Sequence, residues 1–247
     1  MDRMIYVGMT GAKQALEQQA TVANNMANVS TPGFRAQINN FRAVPVVGQE
    51  ATTRAMVVAT TPGADMRAGP LTQTGRALDV AVRGNGWLTV QMPDGNEAYT
   101  RVGNLQVGAD GQLMTLDARP IVGESGPLVV PPGSALVITS EGVVSAIGAG
   151  DPLRGAAEVG RLKLVNPPAA DMVRGDDGFF RMQAGAAAAP ADPNVRLLTG
   201  AIEGSNVNPV TVLVDMIANA RRFEMQMKTM QTAESNDQQA NKLLSSS

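Results

Sequence analysis

One acidic residue in this sequence has a setting in which an enzyme could use it as a proton donor. Asp79 lies between Leu78 and Val80 in an alternating apolar run. An active site built on carboxylates needs several of them to converge in a cleft. No second carboxylate lies at a suitable spacing from Asp79, so the sequence favours an ordinary strand or turn residue. The alternative of a carbohydrate-active or proteolytic β-domain enzyme would require Asp79 to be essential for turnover.

Two further segments have residue types that could bind a ligand. Gly84-Asn85-Gly86 has the glycines of a phosphate loop, but no helix follows it to bind an anion at its N-terminus. Arg221-Arg222 is typical of a solvated helix face or of a salt-bridge partner. The sequence therefore predicts no catalytic residue, no cofactor, no metal site and no small-molecule substrate.

Composition narrows the classes of function further. The 247 residues include no Cys and no His, which excludes a disulfide framework, a thiolate nucleophile and Cys-ligated zinc. The chain also lacks the side chain that titrates near neutrality and is the commonest metal ligand. The net charge is −2, no basic stripe is present and aromatic residues make up 3% of the chain. These features argue against a nucleic-acid partner, and together they favour a protein that is not an enzyme.

The sequence contains no segment that would place the chain in a membrane. No run approaches the roughly 18 apolar residues of a membrane span. The N-terminal sequence MDRMIYVGMTGAKQALEQQ has no apolar block followed by a small-residue cleavage site. We therefore expect no membrane insertion, and either a cytoplasmic protein or one that is exported without cleavage of its N-terminus.

The elements that must position a functional surface are two helices, one at each end of the chain. Apolar residues recur there in alternating steps of three and four, which is typical of a helix that packs along one seam against another helix. The first helix is predicted from about residue 4 to 27. The second begins at Asn208-Pro209, a favoured N-cap and first-turn pair, and is predicted to run to about residue 244. The predicted assembly seams are Ile5, Met9, Ala12, Leu16, Ala23 and Met26 in the first helix and Leu213, Met216, Ala220, Phe223, Met227 and Met230 in the second.

Two interpretations of these apolar stripes stay open. They could form an intramolecular core in which the helices pack only on each other, or they could bind neighbouring molecules. An antiparallel pair would still leave most of each helix exposed, which favours assembly with other copies. A third hypothesis is a binding module or chaperone whose helices capture a helix of another protein, and a one-to-one complex would support it.

Between the helices the pattern changes to short β-prone runs separated by turn residues. Leu78, Val80 and Val82 alternate with other residues, and a second run follows Gly84-Asn85-Gly86, so we predict a hairpin there. Many short strands with frequent turns predict an all-β sandwich or partly closed barrel. The predicted fold class is thus α+β, with long N- and C-terminal helices pairing as a coiled coil around a central all-β domain. The further predicted strands are residues 98–102, 105–107, 112–116, 120–122, 128–130, 136–139, 143–147, 161–165 and 179–182.

Two segments contain residues that favour different secondary structures. Residues 31–75 combine short β-prone runs, such as Arg54 to Thr60, with Thr-Pro-Gly and Gly-Pro breaks, and we interpret them as an extended connector with some β character. Residues 183–193 are rich in alanine, which favours helix, but Pro190 and Pro193 favour a surface loop. Residues 196–203 could then return the chain to the sheet.

Several segments together resemble one protein family. Residues 23–34 (ANNMANVSTPGF) resemble the N-terminal signature of bacterial flagellar basal-body rod and hook proteins. Residues 74–82 (TGRALDVAV) and 99–104 (YTRVGN) resemble its β-domain motifs, and residues 203–209 (EGSNVNP) resemble its C-terminal signature. These segments span nearly the whole chain in the family's order. The short length, Phe34-Arg35-Ala36-Gln37 and Gly86-Trp87 are most similar to a proximal-rod member, and a distal-rod or hook-type member is the nearest alternative.

The resemblance implies a structural axial component of the flagellar basal body. It implies terminal helices in the inner layer of a helical tube that transmits torque and encloses the export channel, and a β domain outside that layer. The implied partners are copies of the chain, other proximal and distal rod subunits, and the flagellar export apparatus. The implied location is the rod that crosses the periplasm, reached by unfolded export without a cleaved signal peptide.

The resemblance also divides the chain into parts. Residues 1–30 and 204–247 are expected to form the helices of an axial core domain, residues 31–75 the connector, and residues 76–203 the β-rich outer domain. The signature and junction residues implied by the resemblance are Asn24, Asn25, Asn28, Thr31, Pro32, Gly33, Phe34, Ser205, Asn206 and Asn208.

Overall fold

The structure is a computed structural model that describes residues 2–45, 55–59, 63–148 and 156–245. Within these residues the chain forms two long helices, one short 3-10 helix and twenty strands, which confirms the mixed α+β class. The chain divides into two compact units. Unit 1 is built from the described parts of Met1–Val29, Ala36–Asp65 and Val207–Ser247, and unit 2 from Ser30–Arg35 and the described parts of Met66–Asn206.

The two long helices belong to unit 1 and confirm the helices predicted from the 3-4 spacing. α1 spans Asp2–Ala27 and α2 spans Pro209–Ser245. The side-chain oxygen of Asn208 accepts hydrogen bonds from the backbone N–H groups of Val210 (3.0 Å) and Thr211 (3.2 Å). Amides in the first turn have no carbonyl partner within the helix, so this N-cap explains where α2 begins.

The described part of unit 1 also contains four short strands. β1 (Gln37–Ile38) pairs with β4 (Gly63–Ala64), and β2 (Phe41–Pro45) pairs with β3 (Ala55–Ala59), both antiparallel. Both pairs lie within residues 31–75. Of the predicted run Arg54 to Thr60, the two end residues lie outside the described residues.

Unit 2 contains the remaining strands and the 3-10 helix Ala169–Asp171. Most of the strands lie at or near the positions that the turn pattern predicts. The strands are β5 (Leu71–Gln73), β6 (Val80–Arg83), β7 (Trp87–Gln91), β8 (Glu97–Thr100), β9 (Leu105–Val107), β10 (Leu113–Thr115), β11 (Val122–Gly123), β12 (Gly126–Pro127), β13 (Ala135–Ile138), β14 (Val143–Ile147), β15 (Ala157–Arg161), β16 (Leu164–Val165), β17 (Met172–Arg174), β18 (Phe180–Met182), β19 (Arg196–Thr199) and β20 (Ala201–Glu203).

These strands form several small antiparallel sheets. The largest has five strands in the order β16-β7-β8-β18-β17, and a second has three strands in the order β13-β14-β15. Four two-stranded pairs complete the described part of unit 2: β6 with β19, β5 with β20, β9 with β10, and β11 with β12. Their shared core is a cluster of buried aliphatic side chains, including Val80, Leu88, Val90, Leu105, Leu113, Ile121, Val144 and Leu162.

The hairpin predicted around Gly84-Asn85-Gly86 is wrong. β6 pairs with β19, whereas β7 pairs with β8 and β16. Gly84 and Gly86 have φ angles of 73° and 132°, so the segment does turn the chain, but it directs the two strands into different sheets. Val80, Ala81 and Val82 are all buried, which means that β6 is covered on both faces, unlike a half-exposed hairpin strand.

The alanine-rich segment 183–193 forms a loop, as Pro190 and Pro193 predict. Its backbone is nevertheless attached to the five-stranded sheet. The N–H of Ala189 donates to the hydroxyl of Tyr99 at 2.8 Å, and Ala191 forms an isolated bridge with Val165. The loop is therefore attached to the sheet through its backbone, and Ala189 is buried.

We expect Gly103→Ala to destabilise unit 2 strongly. An ideal Cβ at Gly103 would lie 1.6 Å from the carbonyl oxygen of Val80, and that carbonyl belongs to the buried strand β6. Forcing extra volume against a packed backbone should lower the free energy of unfolding by about 3 kcal/mol. Thermal unfolding followed by tryptophan fluorescence measures the effect, because Trp87 is the single tryptophan.

Gly148→Ala is the matched control. A Cβ there would meet no atom of the described residues within 4 Å, so this variant should unfold within about 0.5 kcal/mol of the native chain, as typical surface substitutions do. Equal stability of the two variants would contradict the close approach of Gly103 to β6.

Candidate assembly surface

Within unit 1, α1 packs against α2 through small residues. A Cβ at Gly8 would lie 2.8 Å from Cγ of Met230, and one at Gly11 would lie 3.0 Å from Cδ of Gln226. Ala12 and Ala15 are buried on the same helix. Since glycine and alanine leave room for the side chains of the facing helix, the two helices can approach closely along this face.

Polar groups interrupt the packed faces of the helices. Asn219 is 2% exposed, and its Nδ2 has no hydrogen-bond partner among the residues that the structure describes. The buried Nε2 of Gln14 and Oε1 of Gln19 also have none. A buried donor or acceptor without a partner costs about 1–3 kcal/mol. The intramolecular packing of α1 on α2 is therefore weaker than that of an apolar seam of the same length.

The predicted seam residues divide between the packed and the outer faces of the helices. Ala12 is buried, and five others are half-buried: Ile5, Met26, Met216, Phe223 and Met230. The remaining six are exposed: Met9, Leu16, Ala23, Leu213, Ala220 and Met227. The buried positions Ala15, Val22, Val212 and Ala233 were not among the predicted residues. Spacing alone identifies an apolar stripe but does not tell which edge of it the partner helix covers.

Large apolar side chains stay exposed on both helices after they have packed on each other. On α1 they are Tyr6, Val7, Met9 and Leu16. On α2 they are Val210, Leu213, Val214, Ile217, Met225 and Met227. We call these ten residues the outer apolar surface. Single exposed apolar residues are normal, but clusters of them mark sites that bind another protein.

The asparagines at the end of α1 attach a strand to the helix. Asn25 donates from Nδ2 to the carbonyl of Gln37 (2.9 Å), and its Oδ1 accepts from the N–H of Gln37 (2.8 Å). An amide side chain can pair with a backbone in this way because it has both a donor and an acceptor. Asn28 donates to the carbonyl of Asn24 at 2.9 Å. The two bonds of Asn25 fix where β1 begins relative to α1.

The other signature residues lie in unit 2, except for the N-cap Asn208. Gly33 has a φ of 68°, and a Cβ there would lie 2.4 Å from the carbonyl carbon of Arg101, so only glycine fits. Phe34 is buried, and its carbonyl accepts from the N–H of Asn206 at 3.2 Å. Thr31 and Pro32 are half-buried in the preceding turn, and Ser205 is buried beside Asn206.

Unit 2 contains a buried ion cluster that the sequence did not predict. Oε1 of Glu203 accepts from Arg35 (2.5 Å) and from the N–H of Gly69 (2.8 Å), and Oε2 accepts from Arg101 (3.0 Å). The guanidinium carbons of Arg35 and Arg101 lie 5.8 Å and 5.3 Å from the ring centre of Trp87, within cation–π range. We call Arg35, Trp87, Arg101 and Glu203 the Glu203 cluster.

The Glu203 cluster holds one carboxylate against two cations. Burial lowers the pKa of Arg101, and the nearby charge of Arg35 lowers it further, whereas the carboxylate of Glu203 acts in the opposite direction. Arg101 also donates to the carbonyls of Val82 (3.1 Å) and Gly84 (2.6 Å). Removing the carboxylate would leave two buried like charges, a change that costs about 3–5 kcal/mol in buried ion pairs.

Asp79, the one candidate for acid chemistry, is held in a structural arrangement. It is buried, and its Oδ2 accepts from the hydroxyl of Thr74 at 2.6 Å. Its Oδ1 lies 3.4 Å from the guanidinium of Arg76. Among the described residues, no three acidic side chains are grouped so that they could hold a metal ion.

No helix within the described ranges is both long enough and apolar enough to cross a membrane.

Three family models match: Flagella basal body rod protein over residues 5–35, Flagellar hook protein FlgE/F/G D1 domain over residues 81–146, and Flagellar basal body rod FlgEFG protein C-terminal over residues 198–243. The first and third matches lie largely on α1 and α2. The second covers strands from β6 to β14.

The similarity to individual relatives extends over the full length. The chain is 53% identical to the flagellar basal-body rod protein FlgF of Salmonella typhimurium and 51% identical to that of Escherichia coli, and each alignment covers 100% of both proteins. It is 30% identical to the flagellar basal-body rod protein FlgG of Buchnera aphidicola, over 93% of this chain and 95% of that protein. The resemblance found in the sequence motifs is thereby confirmed, and the chain belongs to the family of flagellar basal-body rod proteins, which are structural components of the rod.

Proposed function

We propose that the chain is a structural axial subunit of the proximal flagellar rod and assembles through its terminal helices. The observation that supports this most directly is the outer apolar surface, which stays exposed after α1 and α2 have packed on each other. Burial of such a surface against other subunits would stabilise an assembly by about 25 cal/mol for each Å² of apolar area removed from water. The full-length similarity to FlgF relatives supports the proximal rod as the place of assembly.

The proposed assembly is a helical tube. Heterologous contacts, in which one surface of a subunit binds a different surface of the next, generate open helical assemblies. In this proposal, residues 1–30 and 204–247 pair as a coiled coil in an axial core around the export channel, and residues 31–75 connect them to the outer β domain. Residues 76–203 form that domain, with a sandwich or partly closed barrel architecture. The tube transmits torque, and the neighbours are copies of the chain and other proximal and distal rod subunits.

The proposed route to the rod is unfolded passage through the flagellar export apparatus without a cleaved signal peptide. The weak packing between α1 and α2 supports a subunit whose ends become fully ordered only when neighbours cover them. Unpaired polar atoms of Gln14, Gln19 and Asn219 reduce the stability of the isolated helix pair. The family also supports a structural role rather than an enzymatic one.

A distal-rod or hook-type axial subunit is the second candidate. It is supported by the 30% identity to an FlgG relative and by the match to the hook and rod domain model. Labelling the chain in isolated basal bodies and locating the label along the rod axis separates the two candidates. A label at the membrane-proximal end supports the first candidate, and one near the hook supports the second.

We expect Leu16→Glu to prevent incorporation into the rod without unfolding the subunit. Leu16 is 54% exposed in the outer apolar surface, so a carboxylate there costs little in the free subunit but would be desolvated in an assembled interface. The measurement is the amount of variant protein in basal bodies isolated from cells that express it in place of the native chain, together with swimming motility.

Leu116→Glu is the control for that experiment, because Leu116 is a leucine of similar exposure (51%) in unit 2. This variant should enter the rod normally. If Leu16→Glu also entered the rod at the native level, the outer apolar surface would not be the assembly surface.

We also expect Asn219→Leu to strengthen the packing of α1 on α2 in the free subunit. The substitution removes a buried amide donor without a partner and should stabilise the helix pair by about 1–3 kcal/mol. The measurement is the thermal midpoint of the helical signal in circular dichroism of the monomer, which should rise. If weak pairing serves export, secretion of this variant should slow.

Asn236→Leu provides the comparison, since Asn236 is exposed on the same helix. It makes the same chemical change without removing a buried unpaired group, and its helical midpoint should stay near that of the native chain. A midpoint for Asn219→Leu no higher than this control would show that the amide of Asn219 does not weaken the pair.

A further inference from the structure

The Glu203 cluster joins two segments that lie far apart in the sequence. Arg35 and Glu203 are separated by 168 positions. Around their ion pair, the N–H of Gly33 donates to the carbonyl of Glu203 at 2.7 Å, and the N–H of Asn206 donates to the carbonyl of Phe34 at 3.2 Å. Residues 30–35 and 203–206 are thus the first and last segments of unit 2, and they are bonded directly to each other.

The hydrogen bonds between Glu203 and the two arginines are charge-assisted. Both carboxylate oxygens of Glu203 accept from a guanidinium, and charge-assisted bonds of this type are roughly twice as strong as neutral ones. The side chains of Arg35 and Glu203 are 0% and 1% exposed, so water does not compete for the pair. Backbone donors of Gly33 and Gly69 add bonds to the same residue.

This connectivity determines where tension along the chain is carried. A force that pulls on both ends of the chain reaches unit 2 at residues 30–35 from one side and at residues 203–206 from the other. Since these segments are bonded to each other, they close a loop of 168 residues, and the force passes across the Glu203 cluster rather than through the part of unit 2 that lies in this loop. The strands of unit 2 within that loop carry load only after the cluster has opened.

We propose that the Glu203 cluster is a mechanical clasp that shields the β unit from tension applied through the terminal helices. The proposal goes beyond rod assembly and depends only on contacts within unit 2. It assigns to Arg35, Arg101 and Glu203 a role in kinetic resistance to force rather than in equilibrium stability alone. Kinetic resistance of this kind depends on interactions that must break before the transition state for unfolding.

The test is force spectroscopy on the full chain, with handles attached at its two ends. The native chain should show one high-force event that releases the whole loop of 168 residues, about 59 nm at ~3.5 Å per residue before the folded end-to-end distance is subtracted. Glu203→Gln keeps the shape of the side chain but removes its charge. At a fixed force it should open about tenfold faster, the change produced by ~1.4 kcal/mol of lost barrier.

A second pulling geometry separates a clasp from a general stabiliser. The chain has no native Cys, so handles can be attached specifically at Asp117→Cys and Glu141→Cys, two exposed turn positions in unit 2. In this geometry the clasp is not in line with the force, and Glu203→Gln should change the opening rate less than twofold. An equal acceleration in both geometries, or none with the handles at the ends, would overturn the proposal.

Arg35→Lys is the second variant, used if Glu203→Gln does not fold. It retains a positive charge but loses the planar fork that binds a carboxylate, and it should accelerate opening only with the handles at the ends. Emission from Trp87, the single tryptophan, reports whether each variant has a folded cluster before it is pulled. Folded Arg35→Lys that opened at the native rate would overturn the proposal as well.

Discussion

The carboxylate of Glu203 is the point on which the β unit depends. It is buried, and its two oxygens hold Arg35 from the start of that unit and Arg101 from the segment after β8. Two cations against one anion in a buried site are stable only while the anion is present, since each charge has lost most of its hydration. Further bonds from Arg101 to backbone carbonyls and the ring of Trp87 disperse the excess charge. The unit is closed by electrostatics at its ends and by aliphatic packing in its interior.

The helical unit is stabilised in a different way. Its helices approach through Gly8, Gly11 and Ala12, yet Asn219 places an amide donor without a partner in the packed region. Close approach strengthens the dispersion contacts between the helices. Each unpaired buried polar group lowers the stability of the pair by about 1–3 kcal/mol, which offsets part of that gain. At the same time large side chains such as Leu16 and Ile217 stay exposed. In the proposed assembly, a neighbour that covers the outer face would add apolar burial that the helix pair lacks by itself.

The sequence predicted those features that depend on local pattern. Both helices follow from the 3-4 spacing, and the start of α2 follows from the capping chemistry of Asn208. The Glu203 cluster could not be predicted, because an ion pair across 168 positions leaves no local signal, even though each member lies in a segment that resembles the family. The hairpin prediction at Gly84-Asn85-Gly86 failed for a related reason. The glycines determine that the chain turns, but the partner of β6 is selected by burial against the distant strand β19.

In the proposed assembly, the contrast between the two units explains how the chain keeps a stable β unit and still gains free energy by assembling. A subunit whose helices were as firmly closed as its β unit would gain little free energy by exchanging intramolecular for intermolecular contacts. If its β unit were as loosely held as its helices, ordering entropy would have to be overcome throughout the chain at each addition step. In the proposed assembly, strong closure at Glu203 confines that cost to the terminal segments, where the outer apolar surface would supply the compensating burial. The unpaired amide of Asn219 then has a physical rationale in the proposed assembly: it keeps the free energy of the isolated helix pair small compared with that of the assembled interface.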